Sequence, residues 1–387
     1  MAQFELPRIL ELLLKTHKSI SDINFSVGRP PQVTIDGSLN PVAIKGLEML
    51  SPFHTEAISL NMIGKNKMAM RALIEHGSAD LSYSLPGITR FRVNIFSQRG
   101  TYSIVLRVIP AGIPTIDALN LPPVLHSIQN EKTGLVLVTG PTGSGKSTTL
   151  AAILNEINEN KAYHIITIED PIEYLHRHKK STINQRELGG DTPNFAVALR
   201  ASLRQAPNVI LVGEMRDLET TEIALEAAET GHLVLSTLHT IDAARTVDRI
   251  IGLYPKGDER QIRMRLSQTF KYIISQRLIP KKGGGRIAVI EVLKSNQRTR
   301  EYILEGEKSG KSLTDAMIDG SLEGMQTFDS VLINLIINNI ITKEVGVSYA
   351  TNPGNLMLRL DGLGDGDEFR KPAVAKETKE SVPDWLE

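Results

Sequence analysis

The sequence predicts an α/β protein of two principal domains, and three observations predict it. From Gly134 to Gly252 short apolar runs alternate with helical stretches, which is the pattern of a mostly parallel sheet with helices on its faces. Residues 1–110 read differently, as helical stretches among short strands separated by turn signals, so they predict an α+β domain. Between the two, the stretch Pro110 to Pro123 is rich in Pro and Gly and predicts a linker over 111–123. A length of 387 residues is also more than one compact core usually holds.

The elements follow in order. Residues 3–18 carry Phe4, Ile9, Leu10, Leu13 and Leu14 near helical spacing and predict an amphipathic helix. Ile23–Val27, Gln32–Ile35 and Pro41–Ile44 predict short strands around the turn Asp36-Gly37, and Thr55–Glu75 predicts a helix. Ala79–Leu85, Arg90–Gln98 and Thr101–Val108 predict strands broken at Pro86-Gly87 and Gly100. In the second domain, strands are expected at Leu135–Thr139, His164–Glu169, Val209–Val212 and Leu233–Leu238. Helices are expected at 146–160, 192–204, 217–230 and 242–252. Past 258 the chain reads as chiefly helical, over 258–276, 296–306, 311–319, 326–339 and 342–350, with a strand at Arg286–Leu293. The expected division is therefore 1–110, a linker at 111–123, an α/β core at 124–294, a helical region at 295–360 and a tail at 361–387.

Composition excludes several classes. Lys and Arg number 44 and Asp and Glu number 44, so zero net charge argues against a main task of non-specific nucleic-acid binding. The chain has no cysteine, which removes disulfides, thiol catalysis and cysteine-ligated metals. No apolar run approaches the roughly 18 residues of a membrane span, and the N-terminal segment, interrupted by Glu5 and Glu11, is not expected to be a signal peptide. A cytosolic chain is the expectation. The tail carries eight acidic and four basic residues and ends in Val382-Pro383-Asp384-Trp385-Leu386, which holds the only Trp. Its composition is that of disorder, with a docking peptide as the other reading.

The strongest chemical signal is Gly140-Pro141-Thr142-Gly143-Ser144-Gly145-Lys146-Ser147, a full match to G-x-x-x-x-G-K-[ST] with a strand before it and a helix, opening through Thr148, after it. Glycines let successive N–H groups curl around an anion, and the helix N-terminus adds partial positive charge. Lys146 is expected on the β- and γ-phosphates of ATP and the Ser147 hydroxyl on Mg²⁺. Hydrolysis further needs a group that positions or deprotonates water. Glu169, Asp170 and Glu173 follow one strand, and Glu214 follows another. Ligands of open α/β sheets bind outside the carboxyl ends of strands, so these carboxylates are the candidates for Mg²⁺ and water. Gly213 stands where a Walker B strand usually has Asp, and Glu214 can instead pair with Arg216. Thr237 or His239, at the end of a further strand, could sense the γ-phosphate, while His232 at that strand's start acts elsewhere. In the first domain Arg90 and Arg92 share a strand face, with Arg99 and Arg107 nearby. They are either surface residues or groups that reach a phosphate on another domain or subunit.

Together these residues resemble the secretion ATPases of the type II secretion and type IV pilus family, over nearly the whole chain to about residue 358. Ser21-Asp22 through Ser26-Val27-Gly28-Arg29-Pro30-Pro31 is similar to the family's N-terminal signature, with Asn24 in place of the usual His. Ile168–Glu173 resembles its Asp box, Val209–Asp217 its Walker B and Thr230–Thr240 its His box. The absence of cysteine and the short N-terminal domain resemble the retraction, PilT-like branch rather than the extension and secretion members. Arg298–Glu305 departs from that branch's C-terminal motif, agreeing only at Arg300, Ile303 and Glu305, whereas Gly324–Thr327 matches well.

The resemblance implies an N-terminal PAS-like domain followed by a RecA-like P-loop ATPase domain with a helical C-terminal part. It also implies a homo-hexameric ring at the cytoplasmic face of the inner membrane, not spanning it. It implies Mg-ATP hydrolysis with Glu214 handling the water, Glu169 and Glu173 organising Mg²⁺ directly or through water, and His239 beside the site. Arg90, Arg92 and Arg107 would close the domain gap on the phosphates. The ring would act on a platform protein of the inner membrane and power pilus retraction. An accessory or regulatory retraction paralogue, a partner for a second retraction ATPase, remains the alternative, with an extension or type II secretion ATPase behind it.

Overall fold

A computed structural model describes residues 5–109, 112–308 and 310–362. The acidic tail from 363, Trp385 included, and Phe4 of the N-terminal helix lie outside the described residues. The chain divides into two compact units, Met1–Leu278 with Ile287–Thr327, and Ile279–Arg286 with Phe328–Glu387.

The first unit opens with helix α1 (Leu6–Lys15), strands β1 (Ile20–Phe25), β2 (Gln32–Ile35) and β3 (Ser38–Pro41), and helices α2 (Pro52–Ile63) and α3 (Lys67–His76). Strands β4 (Ser78–Leu85), β5 (Thr89–Gln98) and β6 (Thr101–Val108) complete an antiparallel sheet in the order β3-β2-β1-β6-β5-β4. Strand side chains alternate between faces. Ile23, Phe25, Phe91, Val93, Ile95, Ile104 and Leu106 therefore join Leu6, Leu10, Leu13 and Ile58 of the helices in one core. The same alternation leaves the other face polar. The strand registers set Ser82, Arg92, Arg107 and Asp22 in one row across β4, β5, β6 and β1.

The parallel sheet follows. Its elements are β7 (Gly134–Thr139), α4 (Lys146–Asn160), β8 (His164–Glu169), β9 (Thr182–Glu187), α5 (Phe195–Ser202), β10 (Val209–Val212), α6 (Leu218–Glu229), β11 (Leu233–Leu238), α7 (Ala243–Ile251), α8 (Glu259–Thr269), β12 (Phe270–Pro280) and β13 (Arg286–Lys294). The order is β13-β12-β7-β11-β10-β8-β9, with β9 through β12 mutually parallel. Leu135, Leu137, Ile166, Ile168, Ile210 and Val212 face α5–α8. Their neighbours Val136, Val138, Ile165, Val209 and Leu211 face α4 and the 3-10 turn Pro123–Asn130. Both faces are covered, which is why these strands are unbroken apolar runs. Because the strands are parallel, Thr139, Glu169, Glu187, Val212 and Leu238 all end at one edge. Helices α9 (Gln297–Glu305) and α10 (Leu313–Asp319) pack beside this sheet through Ile303, Leu313 and Met317.

The second unit holds α11 (Phe328–Ile337), α12 (Lys343–Tyr349) and α13 (Pro353–Gly362). Asp329 accepts from the Thr351 and Asn352 amides at 2.7 and 3.0 Å, and Lys282 N donates to Ile340 O at 2.9 Å. Among the described residues no helix is long and apolar enough to cross a membrane.

Several sequence expectations shift. The strand expected at Pro41–Ile44 is Ser38–Pro41, because Asp36 and Gly37 both take positive φ, 49° and 79°, and turn the chain in two residues so that Ser38 pairs with Ile35. The helix expected over Thr55–Glu75 is two helices, parted at Gly64. The helix expected over 258–276 ends at Thr269, where Phe270 turns to extended backbone with no Gly or Pro to mark the change, and 270–276 belong to β12. Strand β9 was not expected, since Ile183 is its only large apolar residue in Thr-Ile-Asn-Gln-Arg-Glu. Helix α13 was not expected either, and it takes in 361 and 362, which the sequence assigned to the tail.

Candidate functional site

At the end of β7 the chain forms a loop, Gly140 to Gly145, and re-enters a helix at Lys146. Its shape requires glycine. Gly140 and Gly145 have φ of +145° and +93°, and a Cβ there would lie 2.3 Å from Gln276 O and 2.7 Å from Gln276 Nε2 respectively. The N-terminus of α4 has no side-chain cap, so its first amides lack intrahelical partners. The buried Ser144 hydroxyl has no partner either. Orphaned donors around a helix N-terminus form an anion site. Lys146 Nζ donates to Gly140 O at 2.8 Å and Pro141 O at 3.1 Å, curled over the loop it would share with phosphates. Burial pushes the Lys146 ammonium below its usual range, and the charge of Glu214 opposes that. Pro141, Thr142, Gly143 and Ser147 are exposed, whereas the Thr148 hydroxyl bonds Tyr174 OH at 2.9 Å.

The strand ends bring some predicted residues together. Glu214, just past β10, is 15% exposed and held on both oxygens, by Arg216 Nε at 2.7 Å and His239 Nε2 at 3.2 Å. The Arg216 pairing that the sequence allowed is thus present, and His239 joins it. Thr237 is not free to sense phosphate, because its hydroxyl donates to Gly213 O at 2.6 Å. His232 Nδ1 lies 3.0 Å from Ala227 O at the opposite end of β11. Glu169 is half-buried, and Thr167 Oγ1 and Gln185 Nε2 donate to the same Glu169 oxygen at 2.6 and 3.1 Å. Burial pushes its carboxyl up from the usual range, against the pull of those donors. Glu173 sits exposed in the following loop. No cluster of three or more His, Asp or Glu among the described residues forms a ready metal cage. The set instead suits an ion held mainly by phosphates, a hydroxyl and water, as Mg²⁺ usually is.

The arginines divide. Arg90 Nη2 reaches Glu187 Oε2, at the end of β9, at 2.9 Å, with side chains only 21% and 9% exposed. Ser84 Oγ accepts from its Nη1 at 3.0 Å, and the Ser82 hydroxyl donates to Glu187. This joins the polar face of the N-terminal sheet to the edge of the parallel sheet, since Glu187 stands beside Glu169 in register. Arg92 is exposed and lies directly across from Arg107. Arg107 is 71% exposed and paired with Asp22 at 3.1 Å. Arg99 occupies the turn between β5 and β6 with φ 48°.

Sequence reading missed Glu187, Gln185, Tyr174 and Gln276. Gln276 donates to Ser144 O at 2.6 Å and accepts from Thr149 Oγ1 at 2.8 Å. None carries a motif; a carboxylate closing a strand was the one available sign, and it was lost with β9.

Comparison with known proteins places this geometry. The family described as type II/IV secretion system protein matches residues 34–332. The type IV pilus retraction ATPase PilT of Pseudomonas aeruginosa is 43% identical over 348 residues, covering 90% of this chain and 99% of that protein. The type IV pilus ATPase PilU of the same organism is 40% identical over 368 residues, covering 94% of each. The crystal structure of the pilus retraction motor PilT with bound ADP is 44% identical and superposes with a TM-score of 0.79, covering 92% of this chain and all of that one. The nucleotide loop, the carboxylates at the same sheet edge and these relatives agree: the chain is an ATP-hydrolysing enzyme that belongs to the type II/IV secretion system protein family, in its PilT-like branch.

Proposed function

We propose that this chain is the subunit of a homo-hexameric Mg-ATP motor that powers type IV pilus retraction from the cytoplasmic face of the inner membrane, acting on a membrane platform protein. The observation that carries the reading is Glu214, a shielded carboxylate at the same sheet edge as the phosphate loop and in electrostatic reach of Lys146. Gly140–Thr148 bind the phosphates, with Lys146 leaving the Gly140 and Pro141 carbonyls for the β- and γ-oxygens. Ser147 and, through water, Glu173 and Glu169 would hold Mg²⁺, which neutralises charge on the phosphates. Glu214 takes the proton of the attacking water as its oxygen bonds to the γ-phosphorus and ADP leaves. His239 and Arg216 fix the rotamer of Glu214 and release it as the site fills.

The N-terminal arginines supply the mechanical link. Arg92 and Arg107 face each other as like charges on one sheet face, Asp22 pairs with Arg107 on its other side, and an anion bound between the two arginines would relieve the repulsion that is left. A γ-phosphate would draw that face toward the loop, and its loss would release it. The test is steady-state phosphate release with Mg-ATP, beside Glu214→Gln, with particle mass measured on the same samples. Turnover in a particle of about six subunits, lost by roughly 10²–10⁴-fold in the variant, is expected. Wild-type turnover in Glu214→Gln would remove that residue from its role.

A second reading is an accessory or regulatory paralogue, a nucleotide-binding ring that works with another retraction ATPase. It is favoured by the 40% identity to PilU across nearly full length and by the divergent Arg298–Glu305 segment, where Arg298 pairs with Asp319. ATP binding in an assembled ring without turnover would favour it.

A further inference from the structure

We infer that Gln276 is a positioning residue of the phosphate loop, tying its Ser144 carbonyl to the first turn of α4 so that the loop keeps an anion-receptive curl. The residue lies on β12, next to β7 in the sheet, where Ser275 stands opposite Thr139 and their hydroxyls bond at 3.0 Å. Gln276 is 3% exposed. Its amide nitrogen donates to Ser144 O, inside the loop, at 2.6 Å. Its amide oxygen accepts from Thr149 Oγ1, in the first turn of α4, at 2.8 Å. One side chain thus bridges the loop and the helix that follows, across Gly145. Its amide nitrogen and backbone oxygen occupy the space that Cβ atoms at Gly145 and Gly140 would need.

Three consequences follow from that placement. The Ser144 carbonyl is held inward by a donor from outside the loop, so it does not turn into the phosphate cavity, where an oxygen would repel the anion. A neutral amide is the group that can donate on one side and accept on the other; a carboxylate here would lose the donor and set a negative charge behind the phosphates. The contact is also long-range in sequence, so the motif Gly140–Ser147 does not complete its own loop.

The inference rests on the nucleotide-binding reading of the loop, and wild-type nucleotide affinity measured alongside separates the two. The experiment compares wild type with Gln276→Met, which keeps the shape without the hydrogen bonds, Gln276→Glu and Thr149→Val, which removes one bond from the other side. A fluorescent ADP analogue gives Kd, phosphate release gives KM and kcat, and thermal melting of the nucleotide-free protein gives stability. In Gln276→Met, Kd and KM should rise together by about tenfold, the size of effect expected when a buried carbonyl loses its donor, with kcat within about twofold. Gln276→Glu should weaken binding further, and more for ATP than for ADP. Thr149→Val should show a smaller rise and keeps the test open if the Gln276 variants fail to fold. A lower melting temperature with unchanged Kd and KM would make Gln276 a packing residue and overturn the inference, as would a fall in kcat alone.

Discussion

Glu187→Gln is the perturbation that probes the contact between the N-terminal sheet and the nucleotide edge most directly. The substitution keeps the side-chain shape and an acceptor for the Ser82 hydroxyl, and removes the charge opposite Arg90. At 2.9 Å, with exposures of 21% and 9%, the Arg90–Glu187 pair is mostly withdrawn from water. Two unit charges about 4 Å apart attract by about 4 kcal/mol at an effective dielectric of about 20. Desolvation offsets part of that, and the Arg90 Nε is itself buried without a partner. A net loss of roughly 1.5–3 kcal/mol is expected, the range for a hydrogen bond to a charged group. Urea unfolding of wild type, Glu187→Gln, Arg90→Ala and the double variant forms a cycle, which should give a coupling of at least about 1 kcal/mol. The same variants in phosphate release should separate the two roles of Arg90. If Arg90 leaves Glu187 for a phosphate, Glu187→Gln lowers KM for ATP while Arg90→Ala raises it. A coupling near zero would refute the structural part, and a higher KM in Glu187→Gln would refute the exchange of partners.

Gly145→Ala should abolish nucleotide binding measured by fluorescence titration, because its Cβ would meet Gln276 Nε2 at 2.7 Å on a backbone with φ of +93°. Arg92→Ala should leave the nucleotide-free protein as stable or slightly more so, by relieving the facing Arg107, yet slow turnover; a loss of stability would show that the row is a structural one. His126 sits between Glu156 at 2.7 Å and Asp117 at 3.1 Å, and above all its hydrogen bond to Glu156 raises its pKa above the ordinary 6.5. The stability it adds is complete below that ordinary value and is lost as pH rises through the raised one. The difference in melting temperature between wild type and His126→Gln should therefore shrink as pH is raised above the ordinary 6.5, and a constant difference would count against the clamp.

Much of the molecule was legible because it is written locally. The strand–helix alternation after Gly134 has a period that burial on both sheet faces imposes, so β7, β8, β10 and β11 fell within a residue of their expected bounds. The nucleotide loop needs its glycines for backbone shape, and those glycines stand together within eight residues of chain. Glu214 and His239 were found as polar groups where apolar runs stop. The misses share one cause. Strand β9 is an edge strand held by β8, so its own residues need not be apolar. Residues 270–276 become strand only because β7 lies beside them, and nothing in Phe270-Lys271-Tyr272 marks a break from the helix before it.

The sequence by itself determined the phosphate chemistry and the sheet that carries it, since those depend on periodicity and on backbone freedom at a few glycines. Only the tertiary structure decided what surrounds that chemistry. It set Gln276 behind a loop 132 positions away in sequence from Ser144, put Glu187 against Arg90 across 97 positions, and spent Thr237 on the Gly213 carbonyl. Hydrogen-bond partners between distant segments follow from sheet order and register, which no single stretch of chain encodes.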